Sequence, residues 1–118
     1  IRDRYNTMTI KIPIETKQGV HTLPASSVIA VEAQGRKVVI HTTQRDFESI
    51  RNMQYWLELL PKNCFFQTHR SFIINFEHVT DFDRTLVHMA DEQFHAYLTK
   101  RKYSAFKEAY LLYLDSTR

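Results

Sequence analysis

Short apolar segments separated by turn-forming residues run along most of the chain and constrain its fold more than any other feature of the sequence. In the first segment, Thr7–Thr16, apolar residues alternate with mostly polar ones, which is typical of a strand with one buried face. Pro13 lacks a backbone N–H and therefore places this strand at the edge of a sheet. The same reasoning predicts further strands at Val20–Leu23, Val28–Ala33, Val38–Thr42, Gln44–Phe47, Val79–Asp83, Thr85–Met89 and Phe94–Leu98.

Two segments have helical rather than strand periodicity. Ser49 is a suitable N-cap for a mid-chain helix that ends at Pro61 and Asn63. Apolar residues recur on one face of this helix at Ile50, Met53, Trp56, Leu57 and Leu60. Thr99 can cap a final helix that runs to about Asp115. The aromatic side of that helix comprises Tyr103, Phe106, Tyr110 and Tyr113.

The order of these elements predicts the fold class. Because the strands do not alternate regularly with helices, a doubly wound parallel sheet is not expected. We therefore expect a mainly β fold of short antiparallel sheets, with one mid-chain helix and one C-terminal helix. Turns are expected at Gln34–Lys37, where Gly35 can adopt a positive φ, and at Asp83-Arg84 and Ala90–Glu92. The domain is expected to comprise residues 7–118, with residues 1–6 as the remnant of a linker.

The stretch Phe65–Asn75 combines apolar residues, hydrogen-bonding residues and a turn-forming residue, Asn75, in a short space. Apolar residues at both of its ends favour burial, and the polar run Thr68–Ser71 between them can form hydrogen bonds. A short polar segment held between two strands fixes the direction of a basic side chain. This arrangement predicts that Arg70 is directed at a ligand, and the features of the chain taken together favour DNA as that ligand.

Basic residues are concentrated in three parts of the chain. The formal net charge is only +3, but nine of the sixteen Lys and Arg residues fall in three windows that contain no Asp or Glu. The rest of the chain has seven basic residues against thirteen acidic ones. A positive patch on an acidic body both attracts and orients a polyanion. The three windows are Ala33–Arg45, Pro61–Asn75 and Thr99–Lys107.

Residue chemistry assigns roles within this patch. Arginine reads guanine in the major groove, so Arg36, Arg70 and Arg101 are predicted to read bases. Hydroxyl and ammonium groups suit phosphates, so the predicted backbone contacts are Lys37, Thr68, Ser71, Lys100 and Lys102. Cations at a helix N-terminus oppose its dipole by ~0.3–1 kcal/mol each, and a bound phosphate would offset that cost. The sequence has no helix-turn-helix, zinc-finger or leucine-zipper pattern.

Other functional classes lack their characteristic residues. The sequence has no nucleophile elbow, and its only glycines, Gly19 and Gly35, cannot form a phosphate-binding loop. Cys64 beside two phenylalanines is expected to be a small buried hydrophobe. The six histidines do not have metal-ligand spacing, and His88 and His95 are expected to form a cross-strand pair. We therefore expect neither an enzyme nor a metal or other cofactor. The lack of a signal peptide or apolar span predicts a cytoplasmic protein.

One motif resembles a known family. The pattern Phe-Phe-x-x-His-Arg-Ser-Phe-Ile-Ile-Asn, followed by an apolar strand, resembles the LytTR-type DNA-binding domain of bacterial response regulators. The segments Val28–Ala33, Phe47–Ile50 and Tyr97–Tyr103 are similar to the family pattern as well. The resemblance extends from about Thr7 to Phe106.

The resemblance implies a sequence-specific output domain of a two-component transcription regulator. The family fold is built of short sheets, and its loops enter successive major grooves of double-stranded DNA. Position by position, the base contacts fall on Arg36, Arg70 and Arg101, while His69 and Asn75 anchor the central loop. The resemblance also implies an N-terminal receiver or sensor domain and homodimers on DNA.

Two departures from the family pattern leave alternatives open. The Gln34–Lys37 tip is short for the family. The final helix is longer and more aromatic, so it either packs on the body or forms a dimer contact. The alternative function is a protein-interaction module that uses this helix. The DNA-binding hypothesis requires all three arginines on one surface, with the carboxylates on another.

Overall fold

Ten strands form three antiparallel sheets within residues 10–117, the part of the chain that the computed structural model describes. The strands are β1 (Lys11–Thr16), β2 (Gly19–Pro24), β3 (Val28–Gln34), β4 (Lys37–Thr42), β5 (Asp46–Ser49), β6 (Phe65–His69), β7 (Phe72–Asn75), β8 (Val79–Phe82), β9 (Leu86–Met89) and β10 (Phe94–Tyr97). The two α-helices are α1 (Met53–Leu59) and α2 (Tyr103–Ser116). Short 3-10 turns occur at Ala25–Ser27, Phe76–His78 and Lys100–Lys102.

The central sheet has five strands in the order β5-β4-β3-β7-β6. β3 and β7 are distant in sequence but pair directly, with Val31 opposite Ile73. β1 and β2 form a separate hairpin, and the third sheet has the order β10-β9-β8. All the strand pairs are antiparallel, which confirms the predicted fold class.

Each face of the central sheet is covered by a different layer. Val31, Ile40 and Ile73 are cross-strand neighbours and share one face. On this face the fully buried Trp56 of α1 donates its Nε1–H to Ser49 Oγ at 3.0 Å. The third sheet and α2 cover the opposite face, with ring contacts between Phe72 and Tyr97 (5.6 Å) and between Phe66 and Phe106 (5.5 Å). The apolar core therefore extends to both sides of the central sheet.

The predicted start of the first helix was wrong. Ser49 is the last residue of β5, and its hydroxyl oxygen accepts the Arg51 N–H at 2.9 Å. Asn52 caps α1 instead, because its Oδ1 accepts the Tyr55 N–H at 3.0 Å. Ile50 precedes the helix and is 57% exposed, so it does not belong to the apolar helix face.

Two strands also start at least two residues later than predicted. Thr42 Oγ1 accepts the N–H groups of Gln44 and Arg45, both at 3.1 Å, and this turn delays β5 to Asp46. The first strand begins at Lys11, while residues 7–9 of the predicted segment and the predicted linker, residues 1–6, lie outside the described residues.

The final helix follows its prediction closely. Thr99 caps the Lys100–Lys102 turn by accepting the Lys102 N–H on Oγ1 at 3.3 Å, and this turn continues directly into α2. The aromatic side faces the body, where the rings of Phe82 and Phe106 are 4.9 Å apart. No helix in the described residues is long and apolar enough to cross a membrane.

Candidate nucleic-acid interface

The turn that carries Arg70 is anchored on two sides. Arg70 and Ser71 alone join β6 to β7, because His69 pairs with Phe72. His69 Nδ1 accepts the Ser71 N–H at 3.0 Å, so this ring nitrogen is unprotonated in the observed arrangement. The Ser71 carbonyl accepts the Ala33 N–H of the neighbouring hairpin at 2.9 Å. The exposed Arg70 side chain therefore projects from a fixed backbone.

A bulge behind this turn makes Thr68 structural. The register shifts between Gln67 and His69, so Thr68 is the extra residue of β6. Thr68 is 0% exposed and donates its hydroxyl to the Tyr97 carbonyl at 2.7 Å. The prediction that Thr68 contacts phosphates was therefore wrong. Because the bulge interrupts the alternation of side chains along β6, a simple strand pattern does not predict that the Thr68 hydroxyl is buried.

The Lys100–Lys102 turn is attached to the same bulge. The Thr99 N–H donates to the Thr68 carbonyl at 3.0 Å, and Lys102 Nζ donates to the Gln67 carbonyl at 3.1 Å. Burial and then the neighbouring Arg101 charge lower the pKa of Lys102. Lys100 and Arg101 are exposed. The turn that carries Arg101 is thus held beside the turn that carries Arg70.

The turn that carries Arg36 lies at the same end of the central sheet. Gln34 pairs with Lys37, so Gly35 and Arg36 form the tip between β3 and β4. Gly35 has the expected positive φ of +65°. Two interstrand spacings separate the centres of adjacent hairpins by roughly 10 Å. Because β3 adjoins β7, the predicted base-reading arginines are carried by a row of three neighbouring turns.

Sequence reasoning missed two further cations at this end. Lys17, in the β1–β2 turn, and Arg36 line the same surface hollow of about 330 Å³. Arg84 lies in the β8–β9 turn, and its guanidinium is 4.5 Å from the ring centroid of Tyr103, next to Lys102. Both cations lie outside the three basic windows. The Ile50 N–H bond to the Glu15 carbonyl, at 2.9 Å, brings the β1–β2 turn to this end, and no local sequence pattern encodes that bond.

The predicted separation of charges is incomplete. Glu48 lines the same hollow as Arg36, so the expectation that carboxylates lie on another surface was wrong at this position. Arg45 belongs to a basic window but lies in the β4–β5 turn, at the opposite end of the central sheet. Glu15 forms an ion pair with Arg51 at 2.6 Å, and this hydrogen bond raises the pKa of Arg51.

The two predicted anchors have different positions. His69 holds the Arg70 turn directly, as its bond to Ser71 shows. Asn75 is fully buried at the other end of β7 and donates from Nδ2 to the carbonyls of Val28 (2.8 Å) and Ala25 (3.3 Å). Asn75 therefore fixes the start of β3 and has a structural role at a distance from the Arg70 turn.

His41 lies between the carboxylates of Glu32 (2.8 Å) and Asp46 (2.9 Å), so it is engaged in ion-pair contacts within the described residues. His88 and His95 form the predicted cross-strand pair, with ring centroids 4.7 Å apart. Among residues 10–117, no group of three or more His, Cys, Asp or Glu residues could hold a metal ion.

A comparison with known families identifies the family of this chain. The family model described as the LytTr DNA-binding domain matches residues 18–111, which is most of the chain. The chain belongs to the LytTR family. This family is defined by DNA binding and not by an enzymatic activity, and the match includes the turns that carry Arg36, Arg70 and Arg101.

Proteins similar to this LytTR domain include two curated bacterial regulators. The chain is 29% identical over 105 residues to the transcriptional regulatory protein NatR of Bacillus subtilis, a match that covers 85% of this chain and 45% of NatR. It is 29% identical over 77 residues to the sensory transduction protein LytR of Staphylococcus epidermidis, covering 65% of this chain and 31% of that protein. The chain thus spans less than half the length of these relatives.

A solved structure has the same fold. The LytTr DNA-binding domain of a Bacillus cereus response regulator superposes with a TM-score of 0.70 at 27% sequence identity. The similarity covers 84% of this chain and 94% of the Bacillus cereus chain. The short-sheet architecture with two helices is therefore that of a LytTR domain.

Proposed function

We propose that this LytTR domain reads double-stranded DNA through the row of turns at one end of its central sheet. The observation that carries the proposal is the hydrogen-bonded link between these turns, from Ala33 to Ser71 and from Thr68 to Thr99. This link holds separate segments of the chain in one arrangement. A rigid set of donors loses little conformational freedom when it binds DNA.

Within this surface, each side chain has a proposed role. Arg36, Arg70 and Arg101 are exposed and read bases, since a guanidinium can donate two hydrogen bonds to guanine O6 and N7. Lys37, Ser71, Lys100 and Lys102 contact phosphates. Lys17 is added as a further phosphate contact because it lines the hollow beside Arg36. Thr68 and Asn75 support the fold from buried positions.

The wider role follows from the relatives. We propose that the chain is the output unit of a cytoplasmic two-component transcription regulator and has no enzymatic activity. The matched regulators are more than twice as long as their matched portions, which leaves room for a receiver or sensor domain N-terminal to this unit. Residues 1–6 are proposed as the linker remnant and 7–118 as the domain. Two copies are proposed to bind paired DNA sites.

Salt dependence tests the proposed contact with phosphates. If the domain contacts six or more phosphates, its DNA affinity should fall about 10³-fold or more between about 50 and about 200 mM salt. Lys102→Ala should weaken binding to all sequences alike and flatten the log–log salt slope by about one unit. Lys11→Ala is the matched control, because Lys11 lies at the opposite end of β1 from Lys17.

The salt titration also separates this function from a protein-interaction module. Affinity that hardly responds to salt, or an equal change of slope in Lys102→Ala and Lys11→Ala, would refute the proposed phosphate contacts. The aromatic side of α2 does not favour the alternative, since Phe106 and Tyr113 are buried against the body.

A further inference from the structure

An apolar groove lies between α1 and the first turn of α2. Its volume is about 390 Å³, within the range of small-molecule sites. Trp56 and Leu57 line it from α1, Phe66 and Ile73 from the central sheet, and Ala105 from α2. The groove can therefore accept a compact apolar group.

Two lysines give this groove a positive rim. Lys62 and Lys102 both line it, and none of the described lining residues is acidic. Lys62 Nζ donates to the Leu57 carbonyl, and Lys102 Nζ donates to the Gln67 carbonyl. Each ammonium has three donors, so a single carbonyl acceptor leaves capacity for an anion. Lys102 is half-buried, and this burial lowers its pKa.

We infer that this groove binds a small amphipathic carboxylate, whose apolar body lies against the partly exposed Leu57 and Phe66 and whose carboxylate meets Lys62 and Lys102. Gln67 is the one uncharged polar side chain among the lining residues. A sugar or nucleotide, which needs several polar partners, does not fit this lining. A carboxylate is complementary to the two ammonium groups, whereas the rest of the ligand must be apolar.

The position of Lys102 connects this groove to DNA binding. Lys102 holds the Gln67 carbonyl immediately before the Thr68 bulge, and it follows Arg101 in the chain. A ligand carboxylate that takes Lys102 removes a proposed phosphate contact. The ligand therefore lowers DNA affinity, and DNA lowers ligand affinity by the same factor. This coupling rests on the proposed function, whereas ligand binding itself does not.

The test uses 2-naphthoate as the probe and its neutral amide, 2-naphthamide, as the matched control ligand. Titration of the ¹⁵N-labelled chain should give saturable amide shifts at Leu57, Gln67 and Ala105. The Lys62→Met variant should bind 2-naphthoate about tenfold or more weakly, because a charged hydrogen bond is lost. Lys107→Met is the matched control variant, since Lys107 is exposed on α2 and does not line this groove. Well-dispersed amide spectra establish that each variant is folded.

A second variant blocks the groove without altering its charge. Ala105 is exposed, so Ala105→Phe adds a ring at the groove rim without entering the core. This variant should lose the 2-naphthoate shifts. Shifts that do not saturate, equal binding of 2-naphthamide, or unchanged binding in both Lys62→Met and Ala105→Phe would each overturn the assignment.

A DNA titration in the presence of 2-naphthoate then tests the coupling. A lower DNA affinity at saturating 2-naphthoate, unchanged by 2-naphthamide, supports it. Saturable 2-naphthoate binding with unchanged DNA affinity overturns the coupling and supports the groove. Saturable 2-naphthoate binding by a chain that does not bind DNA would overturn the proposed function while the groove assignment stands.

Discussion

The turns that carry Arg70 and Arg36 lie side by side but are stabilised in different ways. The Arg70 turn is held by the His69 imidazole, by the Ala33 N–H and by the bulge behind it. The Arg36 turn is held by the flanking strand pairs and by the left-handed conformation of Gly35. In the part of the chain that the structure describes, neither Arg70 nor Ser71 has a positive φ.

This difference indicates separate tasks within one surface. A turn fixed by several side chains presents its arginine in one direction, which suits the reading of a particular base. A turn fixed only by strand pairing can adjust to the DNA backbone, but its arginine then loses more conformational entropy on binding. We therefore expect Arg70 to contribute more to sequence preference than Arg36.

Arg70→Ala should have the largest effect on DNA recognition. Loss of a guanidinium carried on an anchored backbone should weaken binding to the preferred site by about 1–3 kcal/mol and relax the preference at one base pair. Competition band shifts with preferred and altered duplexes would measure both effects. Arg45→Ala is the matched control, because Arg45 is also exposed but lies at the other end of the sheet. Unchanged affinity of Arg70→Ala for the preferred site would contradict the assignment.

Thr68→Val should weaken the bulge that supports the Arg70 turn and so make that turn less rigid, more like the Arg36 turn. The substitution keeps the side-chain shape but leaves the Tyr97 carbonyl without the Thr68 hydroxyl, at a cost of about 1–2 kcal/mol in the free energy of unfolding. Specific DNA affinity should fall with the salt slope unchanged. Urea denaturation and salt-dependent band shifts would measure these quantities. Thr68→Ser should recover both, and failure of that recovery would argue against a role for the hydroxyl.

Gly35→Ala should strain the Arg36 turn alone. An alanine at φ +65° costs about 1 kcal/mol or somewhat more, and a Cβ at this position meets no atom within 4 Å, so the cost is confined to the backbone. Thermal unfolding would show a lower Tm. The preference among DNA sequences at the Arg70 contact should be unchanged. A change of preference there would mean that the two turns are mechanically coupled.

Arg36→Ala should have the smallest effect on affinity. Its turn is exposed and Glu48 lines the adjacent hollow, so we expect a loss below about 1 kcal/mol. Band shifts run beside those of Arg70→Ala would compare the two arginines directly. A loss equal to that of Arg70→Ala would reverse the proposed division of tasks.

Local sequence patterns were sufficient for most of the fold. Alternating apolar residues predicted the strands, and Gly35 and Thr99 were correctly placed in a tip and a cap because these features depend on neighbouring residues. Ser49 failed as a cap because Ser and Asn are both good N-caps, and the pairing of β5 with β4 decided between them.

The candidate site depended more on distant contacts. Thr68 was misassigned because a bulge, which reverses strand alternation, has no reliable local pattern. Lys17 was missed because a single backbone hydrogen bond between distant segments brings its turn to the surface. Charge along the sequence also grouped Arg45 with Arg36, although β4 carries them to opposite ends of the sheet.

The uninterrupted passage from the Lys100–Lys102 turn into α2 has a mechanical consequence. The aromatic side of α2 packs on the body through Phe106, and the N-terminal end of the helix continues into the turn that carries Arg101. We therefore expect a substitution that loosens the packing of Phe106 to disturb the position of the Arg101 turn, although the two residues are more than a helical turn apart.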